Sequence, residues 1–450
     1  MKKLLWISIL LTIFFSACAD VQERQYLIAP QFSLPQEKLE PVSNENHFYA
    51  VKAPSSCSIK NQNQYLYKAM HDSYLWREGV PTLDSTDHYS SPEELLTMLK
   101  DENDLFSHIV NLKKVNRFFG LGRYNNFGFI PFLIQLQSGK EALGVVFVYP
   151  NSPAQKAGIK RGDIITKVDN ISTQSSNLDR IKKKLKKQKK LTFTFWKKGK
   201  RYKKRIIKYD YAVHTISNVK IYHIENKKIG YMVFSDFIPS KEEEIDHIFE
   251  KFKSAQIDDL ILDLRYNGGG DMNVARHLAS LIGGAYVNNR VFTHYLFNSK
   301  YSYLNYTSNF KEFSHNQLNL NRLFVITSKR TCSASEQLIL NLRASENQME
   351  VIQVGQETCG KPYAYNSIGL FCDKALFLIN TKAQNSDHQM ISPNGLYPTC
   401  VVEDNIYKAF GDKEESSLKE ALYYITHNRC SSQSDSNGYE IVDFISNFFD

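Results

Sequence analysis

The run Asp259-Leu260-Ile261-Leu262-Asp263-Leu264 leaves this chain few folds to choose from. It is almost continuously apolar, short and free of turn formers, so it reads as a strand buried on both faces. It passes directly into Arg265-Tyr266-Asn267-Gly268-Gly269-Gly270. Leu323–Thr327 repeats the pattern and leads straight into a helix, and Ile229–Phe234 supplies a third strand. Between them, Lys241–Ser254 places Ile245, Ile248, Phe249 and Phe252 on one helical face. Strands of this kind need helices to cover them, which predicts an α/β unit over 212–426.

A chain of 450 residues holds more than one domain. Over 45–115 the pattern is helical: Leu66, Met70, Tyr74 and Leu75 recur at three- and four-residue spacing, and Ser91-Pro92-Glu93-Glu94 is a capped helix start. Over 116–211 it turns to β character. Gly144–Val148 reads as a strand, Ala154–Gly158 as a small helix, Gly162–Asp169 as a second strand and Leu191–Trp196 as an edge strand. The stretch NSPAQKAGIKRGDIITKVDNI resembles a bacterial PDZ domain. That resemblance implies a module that adds a peptide terminus as an extra strand. It makes Phe127-Gly128-Phe129-Ile130 the carboxylate cradle. The expected fold class is therefore multi-domain α+β. It comprises an N-terminal helical region, a PDZ-like β domain, the α/β unit and a tail over 427–450 with no assigned role.

Lys2 and Lys3 precede an apolar run, Leu4–Ala17, that is too short to span a bilayer comfortably. A basic start, a short apolar core and small residues before a cut describe an export signal over 1–17. Ser16-Ala17-Cys18 resembles a bacterial lipoprotein lipobox, which makes Cys18 an acylated first residue and 18–44 a lipid-anchored linker. The expected location is the cell envelope of a bacterium, periplasmic or at the outer-membrane surface. Removing Cys18 leaves six cysteines, an even count that permits disulfides in an exported chain, and none has a zinc-ligand spacing. No metal or cofactor is expected. From Lys182 to Lys208 there are 15 Lys or Arg and no acid, so the rest of the +9 chain carries −6. This basic run is read as a solvated face, with anionic lipid or acidic substrate as the alternative contact. An exported chain is not expected to meet nucleic acid.

The chemistry gathers at three places. Thr331-Cys332-Ser333-Ala334-Ser335-Glu336 lies between a buried strand and a helix, so it presents a hydroxyl beside unpaired amides at the positive end of a helix dipole. That suits a nucleophile, and it is equally the pattern of a plain capping box. Gly268-Gly269-Gly270 offers bare backbone N–H groups for an oxyanion. Gly355-Gln356-Glu357-Thr358-Cys359-Gly360-Lys361 ends a strand and a tight turn on a lysine. Lys361 can serve as a base only if burial brings it from about 10.4 to near 7, a shift of roughly 4–5 kcal/mol; otherwise it is a surface cation.

Taken with Tyr74-Leu75-Trp76, Asp104-Leu105-Phe106-Ser107 and GLYPTCVVEDN, these pieces resemble the C-terminal processing, or tail-specific, serine peptidases, with a ClpP/crotonase-like peptidase domain. The resemblance covers nearly the whole mature chain. It implies a serine endopeptidase acting on unfolded or tail-bearing exported proteins. Ser333 is then the nucleophile, Lys361 the base, Glu336 an orienting helper, and Ala334 with Gly268 or Gly269 the oxyanion hole. Some members carry Gln four residues beyond the lysine; here that position is Tyr365. Ser335 is the rival nucleophile, and His277, on an apolar helix, is read as a packing or surface residue. If Ser333 and Lys361 meet, Cys332 and Cys359 are a candidate disulfide; Cys372 with Cys400 is the second candidate. The competing reading is an inactive, membrane-tethered peptide-binding adaptor, and a histidine hydrolase is a third. Substrate identity and oligomeric state are not legible.

Overall fold

A computed structural model describes residues 51–197, 200–313, 315–432 and 439–443. The expected export signal, Cys18 and the expected linker to residue 44 lie outside the described residues. No described helix is long and apolar enough to cross a membrane.

The N-terminal region forms as its spacing predicts. Helix α1 (Ile59–Ser73) is capped by Ser58, whose hydroxyl accepts from Asn61 N–H, and α2 (Pro92–Leu99) by Ser91, which accepts from Glu94 N–H. Leu66, Met70, Tyr74 and Leu75 are buried, in one cluster with Phe371, Leu376, Leu378 and Ile379 of the α/β domain. The two regions share backbone as well. His108–Asn111 pairs antiparallel with Lys374–Phe377, which pairs in turn with Ile368–Phe371.

The PDZ-like domain follows a two-stranded stem, Arg123–Asn126 on Tyr209–Ala212. Its sheet contains β1 (Phe129–Leu136), β2 (Glu141–Val148), β3 (Ile164–Val168), β4 (Lys190–Lys197) and β5 (Lys200–Ile207), hydrogen-bonded in that order. Helix α3 (Leu178–Lys187) turns Leu178, Ile181 and Leu185 into the same core as Phe129, Leu133 and Phe193. The segment expected to be an edge strand, Leu191–Trp196, is instead interior, between β3 and β5. The lysine-rich β5 takes the edge, where repeated charge opposes pairing with another chain. β1 has two apolar faces because it serves two cores. Phe129 and Leu133 face the PDZ interior, while Ile130, Phe132 and Ile134 pack with Tyr231, Tyr266 and Phe324 of the α/β domain.

The α/β domain is built on a six-stranded sheet: β6 (Ile216–Ile224), β7 (Lys227–Phe234), β8 (Asp259–Asp263), β9 (Arg322–Thr327), β10 (Glu350–Gly355) and β11 (Cys400–Val401), side by side in that order. All neighbours from β7 onward are parallel; β6 is antiparallel to β7. Helices α4 (Glu242–Ala255), α5 (Met272–Gly283) and α6 (Ala334–Leu342) pack on one face. α7 (Ser416–His427) packs on the other, with the PDZ strand β1. The turns after β8, β9 and β10 therefore open at the same sheet end, where parallel strands deliver functional loops.

Three disulfides are present. Cys332–Cys359 is the expected pair. The second expected pair, Cys372 with Cys400, does not form: Cys372 bonds Cys57, and Cys400 bonds Cys430. Cys372 sits in the hairpin turn beside Lys374, packed against the N-terminal region, whereas Cys400 lies on β11, next to the exit of α7. That candidate pair fails because each true partner comes from a chain segment that only tertiary packing brings close.

Candidate active site

At the end of β9 the chain turns through Ser328–Cys332 and enters α6. Thr331 Oγ1 donates to Leu264 C=O at 2.8 Å and Cys332 N–H to Asn267 C=O at 3.1 Å, so this turn is fastened to the end of β8. Ser333 stands at the mouth of the helix with φ +58°, a backbone conformation unfavourable for a residue with a side chain and one found where structure is held for function. It is partly exposed. A Cβ on Gly269 would lie 2.8 Å from Cys332 C=O and 2.9 Å from Ser333 Cβ, so only glycine lets the two turns touch. Ser335, the rival, is fully buried and donates to Asn267 C=O at 3.1 Å, which leaves its hydroxyl committed.

The expected oxyanion donors separate into two kinds. Gly269 N–H is held by Asn267 Oδ1 at 2.8 Å. Gly268 N–H and Ala334 N–H have no hydrogen-bond acceptor among the described residues, and Gly268 faces open space. Beneath the glycine turn, Arg265 is buried against Asp263, Asp404 and Glu415. Arg161 of the PDZ-like domain reaches the same Asp404 and donates to Tyr266 Oη at 2.7 Å, so the turn rests on a charge network shared by both domains.

Lys361 carries a buried amine. It is 9 % exposed, and desolvation brings it down from its ordinary value near 10.5 to about 7, against the opposing pull of Glu336 and Asp104. Glu336, fully buried, binds both turns. Its Oε2 accepts from Ser333 N–H (2.7 Å) and Lys361 N–H (3.0 Å), and its Oε1 from Gly360 N–H (2.8 Å) and Thr358 Oγ1 (2.5 Å). Burial pushes its carboxyl up while these donors pull it down. The Cys332–Cys359 bridge joins the same two turns, with Cα atoms 5.2 Å apart. Ser333 Oγ and Lys361 Nζ are not hydrogen-bonded to one another among the described contacts, a spacing that free enzymes commonly show before substrate closes it.

Comparison with known proteins places this geometry. The model of peptidase family S41 matches residues 228–402, that of the peptidase S41 N-terminal domain 61–108 and that of the PDZ domain 144–197. Residues 228–402 therefore form a peptidase family S41 domain. A probable CtpA-like serine protease of Staphylococcus epidermidis is 26% identical over 221 residues, 48% of this chain and 42% of that protein. A carboxyl-terminal-processing protease of Picosynechococcus is 24% identical over 298 residues, 65% of this chain and 69% of that one. The chain thus spans less than half the length of the first relative. Among solved structures, a putative S41 protease from Bacteroides fragilis superposes with a TM-score of 0.66 at 20% identity, covering 80% of this chain and 97% of that one. The photosystem II D1 C-terminal processing protease gives 0.51 at 16% identity, covering 77% and 94%. These likenesses establish the fold.

Three parts of the site escaped sequence reasoning. Tyr365 lies with its ring centroid 3.9 Å from Lys361 Nζ, and Phe106 stands at 5.2 Å. Tyr365 Oη donates to Phe106 C=O at 2.7 Å, closing an aromatic slot around the amine. Asp104 holds that loop by accepting from Phe106 and Ser107 N–H, and Tyr74 donates to it at 2.7 Å. The N-terminal motifs therefore build one wall of the lysine pocket. His277 is buried against Phe313 and bonds Asp246 at 2.8 Å, so of the two roles read from the sequence it takes packing.

In the PDZ-like domain, Phe127 is fully buried and Gly128 N–H is taken by Asn126 Oδ1 at 2.8 Å. A Cβ on Gly128 would lie 2.1 Å from Ser152 Cβ, so this glycine serves a close approach within the fold. Phe129 begins β1 and Ile130 faces the α/β core. Lys208 places its Nζ 4.9 Å from the centre of the Phe127 ring, and burial lowers it to about 8; nothing in its charge-rich run singled it out.

Proposed function

We propose that the chain is a serine endopeptidase in which Ser333 attacks the scissile carbonyl and neutral Lys361 takes its proton. With a pKa near 7, a large share of the amine is free base at neutral pH. The Oγ–carbonyl bond forms as the proton passes to Nζ. The oxyanion is received by Gly268 and Ala334 N–H, and the leaving amine departs with the proton returned by Lys361. Water, deprotonated by the same amine, then hydrolyses the acyl-enzyme. Glu336 touches the nucleophile and base segments through their backbones, so its part is positioning.

One observation carries this reading: an amine buried between two aromatic rings, fastened to a partly exposed serine at a helix mouth by one carboxylate and one disulfide. An adaptor that only binds peptide gives no reason to bury that amine. Substrates are exported proteins with unfolded or extended tails, and the PDZ edge strand captures the tail. The chain is held to the envelope through a lipid on Cys18. Incubating the chain and its Ser333→Ala and Lys361→Ala variants with an unfolded protein, then sequencing the fragments, tests the chemistry; full cleavage by Ser333→Ala would sink it. Fatty-acid labelling that persists in Cys18→Ala would remove the anchor.

A further inference from the structure

The outer edge of β1 is already occupied. Beyond α7 the chain returns as β12 (Tyr439–Asp443), which pairs antiparallel with β1 in the register Tyr439–Leu136, Glu440–Gln135, Ile441–Ile134 and Asp443–Leu133. β12 thus extends the PDZ sheet as its outermost strand on that side, next to the strand that follows the Phe127–Ile130 loop. Its antiparallel course carries it toward that loop. This is the strand and the direction by which a PDZ domain accepts an added peptide. β1 is built to be an outer strand: it contains Pro131, which cannot donate to a ladder, at an irregularity in its pairing with β2.

Two further features fit this occupant. Cys430 is bonded to Cys400, and Ser431 N–H donates to Glu420 at 2.7 Å, so the start of the segment is clamped to the peptidase domain. Only residues 433–438 lie between the last clamped stretch and Tyr439. A tether this short holds the strand at an effective concentration on the order of millimolar. The charges are also of opposite sign: Ser431–Asp450 carries Asp435, Glu440, Asp443 and Asp450 with no Lys or Arg, whereas Lys182–Lys208 of the PDZ-like domain carries 15 Lys or Arg and no acid.

We infer that Tyr439–Asp443 is a built-in ligand of the PDZ edge, which a substrate tail must displace before it can be captured. The inference rests on the reading of this domain as the peptide-capturing module. An outside peptide then competes with a neighbour that is always present. If the free strand binds with a dissociation constant of about 100 µM, that competition weakens outside peptides roughly tenfold.

The test uses a fluorescein-labelled peptide with the sequence of residues 437–450, titrated by anisotropy against three proteins. These are the mature chain, a chain ending at Ser432, and the full-length Ile441→Pro variant, which removes one donor from the ladder without shortening the chain. Both altered proteins are expected to bind the probe roughly tenfold more tightly than the parent. The amides of Leu133–Leu136 should exchange faster with solvent in both, while peptidase activity on a substrate without a recognised tail stays unchanged. Equal, measurable binding by all three proteins overturns the inference and leaves the PDZ reading intact. Absence of binding by all three overturns the capture reading and the inference with it. Protection of the edge that disappears on dilution of the parent chain assigns the strand to a second copy and overturns the intramolecular ligand.

Discussion

The backbone N–H groups of Ser333 and Lys361, 28 positions apart in the chain, donate to one and the same oxygen, Glu336 Oε2, at 2.7 and 3.0 Å. The turns that carry Ser333 and Lys361 are therefore located relative to one another by a single carboxylate. A buried carboxyl that accepts from four donors is held in place where water is excluded, and hydrogen bonds of this kind contribute about 0.5–1.5 kcal/mol each.

Glu336→Gln should break this arrangement. An amide keeps one acceptor oxygen and turns an NH2 group toward two N–H donors, leaving buried groups unpaired. A loss of about 2–4 kcal/mol in stability is expected, measured by urea unfolding. On the proposed mechanism activity should fall through kcat more than through KM, since the carboxylate binds the backbones of Ser333 and Lys361.

Lys361 ties activity and stability to pH in the same direction. Its folded pKa of about 7 lies below its ordinary value near 10.5. The unfolded chain therefore binds the extra proton between those values, and stability rises with pH from about 7 toward 10.5 by roughly 4–5 kcal/mol from this group, with no slope below. Cleavage should rise through pH 7 as the amine loses its proton. Lys361→Met should abolish cleavage, flatten this part of the stability profile and make the protein harder to unfold at pH 6–7. An unaltered stability profile in Lys361→Met would count against the buried amine.

How much of this was legible beforehand follows from distance along the chain. Asp259–Asp263, Arg322–Thr327 and the helix at Glu242–Ala255 were readable because periodicity and caps are local. Ser333 and Lys361 could be singled out because each follows a strand and a turn within a few positions. Tyr365 packs against Lys361 and Phe106 together, and Phe106 comes from another region, so no local pattern reveals the slot. Cys57 and Cys430 were missed as partners for the same reason. The polar end segment showed too little alternation to be read as a strand, because it gains its pairing only from the edge of β1.

The disulfide connectivity is open to direct measurement. Non-reducing peptide mapping should recover Cys57–Cys372, Cys332–Cys359 and Cys400–Cys430. Replacing Cys332 and Cys359 with Ser should lower stability by about 2–4 kcal/mol. Cleavage should fall at least tenfold, an order-of-magnitude expectation from the sensitivity of catalysis to about 1 Å of misplacement. Loss of the Cys57–Cys372 bridge should instead loosen the N-terminal region and reach the site only through the lysine pocket.

That pocket yields the sharpest test of how the amine is tuned. The rings of Tyr365 and Phe106 exclude water from Nζ, which lowers its pKa, while their π faces attract the cation, which raises it. Desolvation is the larger effect, because the amine stands well below its ordinary value despite the acids nearby. Phe106→Ala should therefore admit water and shift the rising limb of the pH–rate profile to higher pH, with activity at pH 7 falling in proportion. Tyr365→Gln should act in the same direction, since an amide hydrates the slot and removes the 2.7 Å bond that closes it. Tyr365→Phe keeps the ring and loses only that bond, so its profile should stay close to the parent's. A rising limb that moves to lower pH in Phe106→Ala would show the cation–π attraction to be the greater term, and the lysine would then owe its depressed pKa to another cause.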